Sequence, residues 1–237
     1  MSRKLSLMPL LLLITLAGCF NAPSGSDNGT SSINGNITAG PEGANTVNGS
    51  IHVGAGQHSG PVSTVNGSIH VDPNGAVGPA HAVNGSIGLG EHATAESLTT
   101  VNGGVSLDTG AHVAQSVDTV NGTLNLNEAE VGGSISNVNG HIELKQAHVA
   151  GGIRTVNGDI DVGANSHVEG GIYVQHANGG WFNWNNRKPR IVIGPGAVVQ
   201  GTLRFEREVE LYVSDKATIG PVSGANPVRF SGDNPPG

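Results

Sequence analysis

The sequence predicts an all-β protein built as a single-stranded parallel β-solenoid with about 18 residues per coil. The first observation is the tripeptide Val-Asn-Gly, which recurs seven times at spacings of 18, 18, 18, 19, 18 and 18 residues. The second is the alternation of apolar residues two positions apart after each copy, which is typical of a strand with one buried face. The third is the composition: 38 of 237 residues are Gly and only 3% are aromatic, so the chain lacks the large side chains that usually fill a globular core.

Each repeat unit carries three recurring apolar positions. The tripeptides begin at Val47, Val65, Val83, Val101, Val120, Val138 and Val156, after an imperfect copy at Ile33. The strand that follows has the pairs Ile51 and Val53, Ile69 and Val71, Ile87 and Leu89, Val105 and Leu107, Leu124 and Leu126, Ile142 and Leu144, and Ile160 and Val162. The later positions are Val113, Val131, Val149 and Val168, and then Val117, Ile135, Ile153 and Ile172. Eighteen residues are too few for a helical pair or a propeller blade, but they suit one solenoid coil with three short faces.

The Asn-Gly pairs are interpreted as structural turns, because seven identical active sites are far less plausible than one turn used seven times. The pairs are Asn48-Gly49, Asn66-Gly67, Asn84-Gly85, Asn102-Gly103, Asn121-Gly122, Asn139-Gly140 and Asn157-Gly158. We expect each Gly to adopt a left-handed conformation. Equivalent residues then stack in columns, with the valines facing inward and the seven asparagines forming a ladder of side-chain amides.

A right-handed solenoid is favoured over a left-handed one. Six-residue steps such as Val65, Val71, Val77 and Val83 would also suit a left-handed form. The bulky Ile69, however, occupies a position where that fold prefers a small side chain.

The N-terminus predicts secretion and lipid attachment. Arg3 and Lys4 precede an apolar run that is too short to span a bilayer, which is typical of a signal peptide over residues 1–18. The sequence Leu-Ala-Gly before Cys19, the only cysteine, resembles the bacterial lipoprotein signal, which implies that Cys19 is lipidated and palmitate-bearing. By that family's sorting rule Phe20 favours the outer membrane. An ordinary secretory signal with a stray cysteine is the alternative.

Loss of the signal peptide removes Arg3 and Lys4, which changes the formal charge from −7 to −9. The remaining chain has no basic cluster, so nucleic acid and anionic lipid headgroups are not expected partners. The expected membrane contact is the lipid on Cys19 alone.

Tandem Val-Asn-Gly-[Ser/Asp/Thr]-Ile-x-Val units behind a lipoprotein signal resemble a family of bacterial β-solenoid domains classed as adhesins. The resemblance covers roughly residues 33–220 and is specific as to fold. It implies an envelope protein with no catalytic residues to carry over.

The sequence divides the chain into six segments. They are the signal peptide at 1–18, the lipidated cysteine with a flexible tether at 19–32, regular repeats at 33–176, an aromatic loop insertion at 177–190, irregular C-terminal coils with a cap at 191–224, and a disordered tail at 225–237.

The insertion carries the first candidate binding site. No aromatic residue lies between Asn21 and Ile172, and then several arrive close together. Exposed aromatic rings next to amides and a guanidinium suit the stacking and hydrogen bonding of sugars. The candidate ligand residues are Tyr173, Trp181, Phe182, Trp184 and Arg187. The alternative is that the loop folds over the solenoid and covers apolar surface.

A second candidate is a charged patch on the outward side of the sixth and seventh units, formed by His141, Glu143, Asp159 and Asp161. Stacked carboxylates perturb each other's pKa and can act as acid and base on a polysaccharide. The alternative is a solvated sheet face. His52 and His70 are expected to stack, but nothing completes a zinc shell, so neither a metal site nor a cofactor is predicted.

The leading hypothesis is a lipid-anchored envelope protein, structural or adhesive and without enzymatic activity, whose partner is an envelope or host polysaccharide or protein. The first alternative is a polysaccharide-binding or polysaccharide-cleaving protein that uses the tryptophan loop and the outer carboxylates. The second is a scaffold that assembles end to end, in the manner of bactofilin-like solenoids.

Overall fold

The computed structural model describes residues 29–176 and 187–235 and confirms the all-β parallel solenoid. Three parallel sheets run along the molecule, two of eleven strands and one of nine. The part of the chain that the structure describes contains no helix, and therefore none that is long and apolar enough to cross a membrane. Since neighbouring coils lie about 4.8 Å apart, eleven coils form a rod of roughly 50 Å.

The strands are assigned to sheets A, B and C. Sheet A consists of β1 (Thr30–Asn34), β3 (Ala44–Asn48), β6 (Val62–Asn66), β9 (Ala80–Asn84), β12 (Leu98–Asn102), β15 (Val117–Asn121), β18 (Ile135–Asn139), β21 (Ile153–Thr155), β24 (Ile172–Val174), β27 (Leu203–Phe205) and β30 (Val222–Ser223). Sheet B consists of β2 (Ile37–Thr38), β4 (Ile51–Val53), β7 (Ile69–Val71), β10 (Ile87–Leu89), β13 (Val105–Leu107), β16 (Leu124–Asn127), β19 (His141–Lys145), β22 (Asp159–Val162), β25 (Arg190–Ile193), β28 (Glu210–Ser214) and β31 (Val228–Phe230). Sheet C consists of β5 (His58–Ser59), β8 (Ala76–Val77), β11 (Thr94–Ala95), β14 (His112–Val113), β17 (Glu130–Val131), β20 (His148–Val149), β23 (His167–Val168), β26 (Val198–Val199) and β29 (Thr218–Ile219).

Coils are numbered 1 to 11 by the sheet A strand that begins each one. The register follows the repeat, with Ile51 beside Ile69 and Leu98 beside Val117 on neighbouring strands. Coil 9 departs most from the repeat, because Ile172 pairs with Leu203, 31 positions later. The parallel ladder therefore continues past the insertion, which falls in the sequence between β24 of sheet A and β25 of sheet B.

The predicted apolar positions form the core. The pairs of sheet B, such as Ile51 with Val53 and Leu124 with Leu126, are at most 1% exposed. The later positions in sheets C and A, such as Val149 and Ile153, are fully buried. Each coil buries only a short set of aliphatic side chains against its neighbours, so it is the stack that is stable rather than the single coil.

The prediction that the Val-Asn-Gly valines face inward is wrong. In β3 the buried side chains are Ala44 and Thr46, and Val47 is half-exposed, as are its equivalents in the next six coils. Strand alternation gives the reason, because Thr46 already points inward and its neighbour must point outward. The inward column carries Thr64 and Thr100, whose hydroxyls donate to the carbonyl oxygens of Gly49 and Gly85 at 3.0 and 2.9 Å.

The predicted asparagine ladder is confirmed and begins one coil earlier, at Asn34. Each Nδ2 donates to Oδ1 of the asparagine in the preceding coil, at 2.9 to 3.0 Å, from Asn48 to Asn157. The last acceptor, Oδ1 of Asn157, receives a hydrogen bond from Nη1 of Arg207. Arg207 also donates to the carbonyl oxygens of Val156 and Arg187, both at 3.2 Å, so it terminates the ladder where the repeat ends.

The left-handed conformation predicted for the Asn-Gly glycines is wrong for six of the seven, since only Gly140 has a positive φ, of 138°. The turns need glycine because they stack closely. A Cβ at Gly67, Gly85 or Gly103 would overlap with the carbonyl oxygen of the equivalent glycine one coil before. At Gly158 it would lie 2.7 Å from the carbonyl oxygen of Gly140.

Left-handed residues occur instead at the turn between sheets B and C, once in each of eight consecutive coils. They are Gly56, Asn74, His92, Gly110, Glu128, Gln146, Asn165 and Gly196, with φ between 48° and 72°. Gly and Asn adopt this conformation readily, whereas His92, Glu128 and Gln146 are strained there. The strained turns are held in place by the coils stacked on either side.

The predicted limits of the solenoid need correction at both ends. Strand β1 begins at Thr30, inside the segment expected to be tether. Strand β31 lies inside the tail expected to be disordered, where it pairs with β28 and buries Phe230 to 6% exposure. Ile33 at one end and Val228 at the other are 70% and 51% exposed. End-to-end assembly stays a prediction.

Candidate ligand-binding groove and charged clusters

A groove runs along the outward side of sheet A in coils 8 to 10. Its rim is a column of three side chains, Arg154, Tyr173 and Arg204, which occupy equivalent positions on β21, β24 and β27. The inward neighbours of each, such as Ile153 and Thr155, are buried in the core, so alternation directs the three side chains outward. The solenoid thus brings together residues that are 50 positions apart in sequence.

The floor of the groove lies at the corner between sheets C and A. Ser134, Gly152, Gly171 and Thr202 line this corner in successive coils, and the cavity measures about 570 Å³. A Cβ at Gly152 would lie 2.8 Å from the carbonyl oxygen of Gly171, so close stacking again requires glycine. The same absence of side chains leaves the backbone open beside the two arginines.

Electrostatics distinguish the two arginines of the groove. Arg204 donates to Glu206 at 2.6 Å, and its guanidinium carbon lies 5.3 Å from the centre of the Tyr173 ring, a cation–π arrangement. Partial burial and a hydrogen bond to Glu206 raise the pKa of Tyr173, and the same hydrogen bond lowers the pKa of Glu206. Arg154 has no ion pair with any carboxylate of the described residues. The groove therefore presents one unpaired guanidinium and one that shares a carboxylate.

The predicted outer patch lies on sheet B, around the asparagine corner from the groove. Register brings His141 beside Asp159 and Glu143 beside Asp161 on β19 and β22. Glu143 is paired with Nζ of Lys145 at 2.8 Å. The structure therefore brings the four predicted residues together, with a lysine among them.

Asp159 has a structural task within this patch. One carboxylate oxygen accepts a hydrogen bond from Nη2 of Arg187 at 2.5 Å, and the other accepts from the backbone N–H of Arg190 at 2.8 Å. Both donors belong to the segment that returns from the insertion to β25. Asp159 therefore fixes the point at which the chain re-enters the solenoid. Both of its carboxylate oxygens are engaged in these structural hydrogen bonds, which argues against a role for Asp159 as an acid or base.

Asp161 is the carboxyl of the patch whose titration is perturbed. Burial raises its pKa, and the charge of Glu143 raises it further, while His141, Arg190 and Lys145 act in the opposite direction. A carboxyl with a raised pKa next to a second carboxyl is the arrangement that general acid–base chemistry on a glycosidic bond uses.

The predicted ligand residues of the aromatic loop do not form one site among the described residues. Tyr173 faces outward from sheet A, whereas Arg187 is paired with Asp159 on sheet B. Trp181, Phe182 and Trp184 lie outside the described residues, as does Cys19. The tryptophan loop and the lipidation of Cys19 stay predictions.

Two histidine clusters lie elsewhere on the rod. The rings of His52 and His70 stack as predicted, with centroids 5.8 Å apart, and both Nε2 atoms contact the carboxylate of Asp72, at 3.1 and 3.3 Å. On sheet C, Nε2 of His148 lies 3.0 Å from Glu169, and Glu130 lies within 3.6 Å of the same ring. Within residues 29–176 and 187–235, no three His, Cys, Asp or Glu side chains are placed to hold a metal ion.

Sequence reasoning missed Arg154, Arg204 and Arg207. A signal was available, because Ile153-Arg154-Thr155, Ile172-Tyr173-Val174 and Leu203-Arg204-Phe205 occupy the same position of the repeat. The insertion in coil 9 breaks the 18-residue spacing, which hides that Arg204 lies above Tyr173.

Comparisons of the chain with family models, with curated proteins and with solved structures found no match. The assignment of the fold therefore depends on the observed pairing of the strands.

Proposed function

We propose that this protein is a lipid-anchored envelope protein, without enzymatic activity, that uses a rigid solenoid to hold a binding surface away from the membrane. The observation that carries the proposal is the unbroken parallel pairing of sheet A from β1 to β30. A rod of stacked coils has no hinge, since neighbouring coils are hydrogen-bonded along three sheets from coil 2 to coil 10 and along two sheets at either end.

The position of the groove supports this role. It lies in coils 8 to 10, seven coils beyond coil 1, which corresponds to roughly 35 Å along the axis. A lipid on Cys19 would place the other end of the rod at the membrane. The adhesive interpretation follows from a binding surface held at the distal part of such a rod.

The experiment has two parts. The full chain and its Cys19→Ala variant are expressed in a bacterium with an outer membrane, fed with labelled palmitate and fractionated. We expect label and membrane association for the parent chain, and loss of both for the variant. The lipid-free chain from Asn21 to Gly237, which contains all the described strands, is then tested for retention on immobilised envelope and host polysaccharides. Absence of lipid, or absence of retention on every surface, would contradict the proposal.

Polysaccharide cleavage by the outer patch is the second candidate. It is favoured by one observation, the raised pKa of Asp161 next to Glu143 on the adjacent strand. Release of new reducing ends from a retained polysaccharide, abolished in an Asp161→Asn variant that still binds, would establish cleavage. Retention without new reducing ends is the result expected for the adhesive function.

A further inference from the structure

The groove on sheet A has a chemistry that identifies a ligand class. Two guanidinium groups stand on either side of one tyrosine ring, and the floor between them is backbone with little side-chain cover. Guanidinium groups bind carboxylates through two parallel hydrogen bonds, and a tyrosine ring offers apolar surface with a polar tip. Carboxylate-bearing sugars present both features that this surface complements.

We propose that the groove binds an acidic polysaccharide, with the polysaccharide chain lying along the solenoid axis and uronate carboxylates on Arg154 and Arg204. The proposal rests on the adhesive function above and names its ligand class. Arg154 is the primary anchor, because no described carboxylate competes for it. Arg204 shares its charge with Glu206, so a ligand carboxylate has to displace or join that pair.

The spacing of the column favours a polymer over a small anion. Arg154 and Arg204 are two coils apart, which is about 9.6 Å between their strands. In an extended two-fold polysaccharide, the carboxylates on one side of the chain recur at every second sugar, which is a similar distance. One oligosaccharide can therefore contact both arginines, whereas a single sugar acid or an inorganic anion can contact only one.

Local charge also favours binding of an acidic polymer in this groove. The chain without its signal peptide carries a formal charge of −9, so most of the surface repels an acidic polymer and attraction arises where cations lie close together, as Arg154 and Arg204 do. Binding in the groove is therefore expected to be strongly sensitive to salt.

The test is titration calorimetry of the chain from Asn21 to Gly237 with hexagalacturonate, with monogalacturonate and neutral maltohexaose as comparison ligands. We expect saturable binding of the hexamer, at least tenfold weaker binding of the monomer, and none of the neutral oligomer. Arg154→Gln is expected to weaken hexamer binding tenfold or more, the usual effect of losing a charged hydrogen bond. Arg154→Lys is expected to fall between, because lysine keeps the charge and loses the paired geometry.

Lys216→Gln is the matched control, since it removes one exposed cation from coil 10 outside the groove, and its affinity is expected to stay within about twofold of the parent. Circular dichroism melts verify that each variant folds. Equal binding of hexamer and monomer, or unchanged binding in both Arg154→Gln and Arg204→Gln, would overturn the ligand assignment. Retention of the protein on an immobilised neutral polysaccharide, in the assay that tests the adhesive function, would leave that function intact, so the two failures are distinguishable.

Discussion

Coils 2 to 8 and coils 9 to 11 extend the same parallel sheets, of which sheet C ends in coil 10, and the two regions carry different side chains at their surface. In the first region, the corner between sheets A and B carries a ladder of neutral side-chain amides that recurs in every coil, from Asn48 to Asn157. The second replaces the ladder with charged and aromatic groups, among them Arg207, Arg204 and Tyr173. The regular repeat therefore supplies a rod, and the candidate groove lies at the end of that repeat, from Arg154 in the last regular coil to Arg204 two coils later.

The largest expected effect on stability comes from a substitution at an Asn-Gly turn of the regular region. Gly85→Ala places a methyl group onto the carbonyl oxygen of Gly67, and the backbone of two coils has to separate. We expect a loss of about 3 kcal/mol or more in the free energy of unfolding, measured by urea denaturation. Gly88→Ala is the control, because its Cβ would contact only the side-chain ends of His70 and Ser106, at 3.4 Å, and we expect a change below about 1 kcal/mol. Equal effects for the two variants would refute stacking as the reason for glycine.

The next effect tests the ladder that distinguishes the two regions. Asn102→Ala removes two hydrogen bonds, one to Asn84 and one from Asn121, both at 2.9 Å. We expect destabilisation of about 1 to 2 kcal/mol in the same assay. Asn125→Ala removes an outward asparagine on β16 that lies outside the ladder, and it is expected to be near neutral. A neutral Asn102→Ala would show that the ladder is a consequence of the fold and not a support for it.

A smaller effect on stability, of opposite sign, is expected at the left-handed turns between sheets B and C. Gln146 has a φ of 49° at a turn where coils 2 and 5 carry Gly56 and Gly110. Gln146→Gly is expected to stabilise the protein by about 0.5 to 1 kcal/mol, because relief of left-handed strain exceeds the added entropy of the unfolded chain. Gly110→Ala, with a φ of 72° and a Cβ directed at the His92 ring, is expected to destabilise it. Thermal melts of both variants check the pair, and a destabilising Gln146→Gly would contradict the account.

The smallest effect concerns the charged patch. Burial raises the pKa of Asp161, so the folded protein binds its proton more tightly than the unfolded chain does. The resulting stability is fully present below the ordinary pKa of 3.8 and is lost as the pH rises through the folded value. Asp161→Asn is therefore expected to match the parent near pH 3 and to be more stable at pH 7, by less than about 1 kcal/mol because the carboxyl is partly solvated. A stability difference that does not change with pH would contradict this.

Much of the fold could be predicted from the sequence because the repeat reports the stacking directly. The period gave the coil length, and the alternation gave the buried pairs such as Ile51 and Val53, both fully buried. The outward position of Val47 and the negative φ of most turn glycines could not be read in this way, since both depend on where each strand ends and how closely coils approach. The period says that a turn exists but not why glycine occupies it.

The candidate site was predicted less well, for a physical reason. The position of Tyr173 on a strand, and the proximity of His141 to the neighbouring carboxylates, could be predicted from their places in the repeat. To predict the groove, one has to know which strands pair across the insertion. The repeat does not give this pairing, because Leu203 lies 31 positions after Ile172 and not 18. Where the repeat length changes, the sequence does not show which residues of neighbouring coils lie side by side, so a site formed between those coils cannot be predicted from it.

We infer that binding is confined to coils 8 to 10, where the regular repeat ends, while coils 2 to 7 serve as scaffold. The most direct measurement is a nitrogen-15 NMR titration of the chain from Asn21 to Gly237 with hexagalacturonate. The account predicts saturable shifts in the amides around Arg154, Tyr173 and Arg204, and unchanged signals for coils 2 to 6. Shifts spread along the regular coils, or no shifts at millimolar ligand, would contradict it.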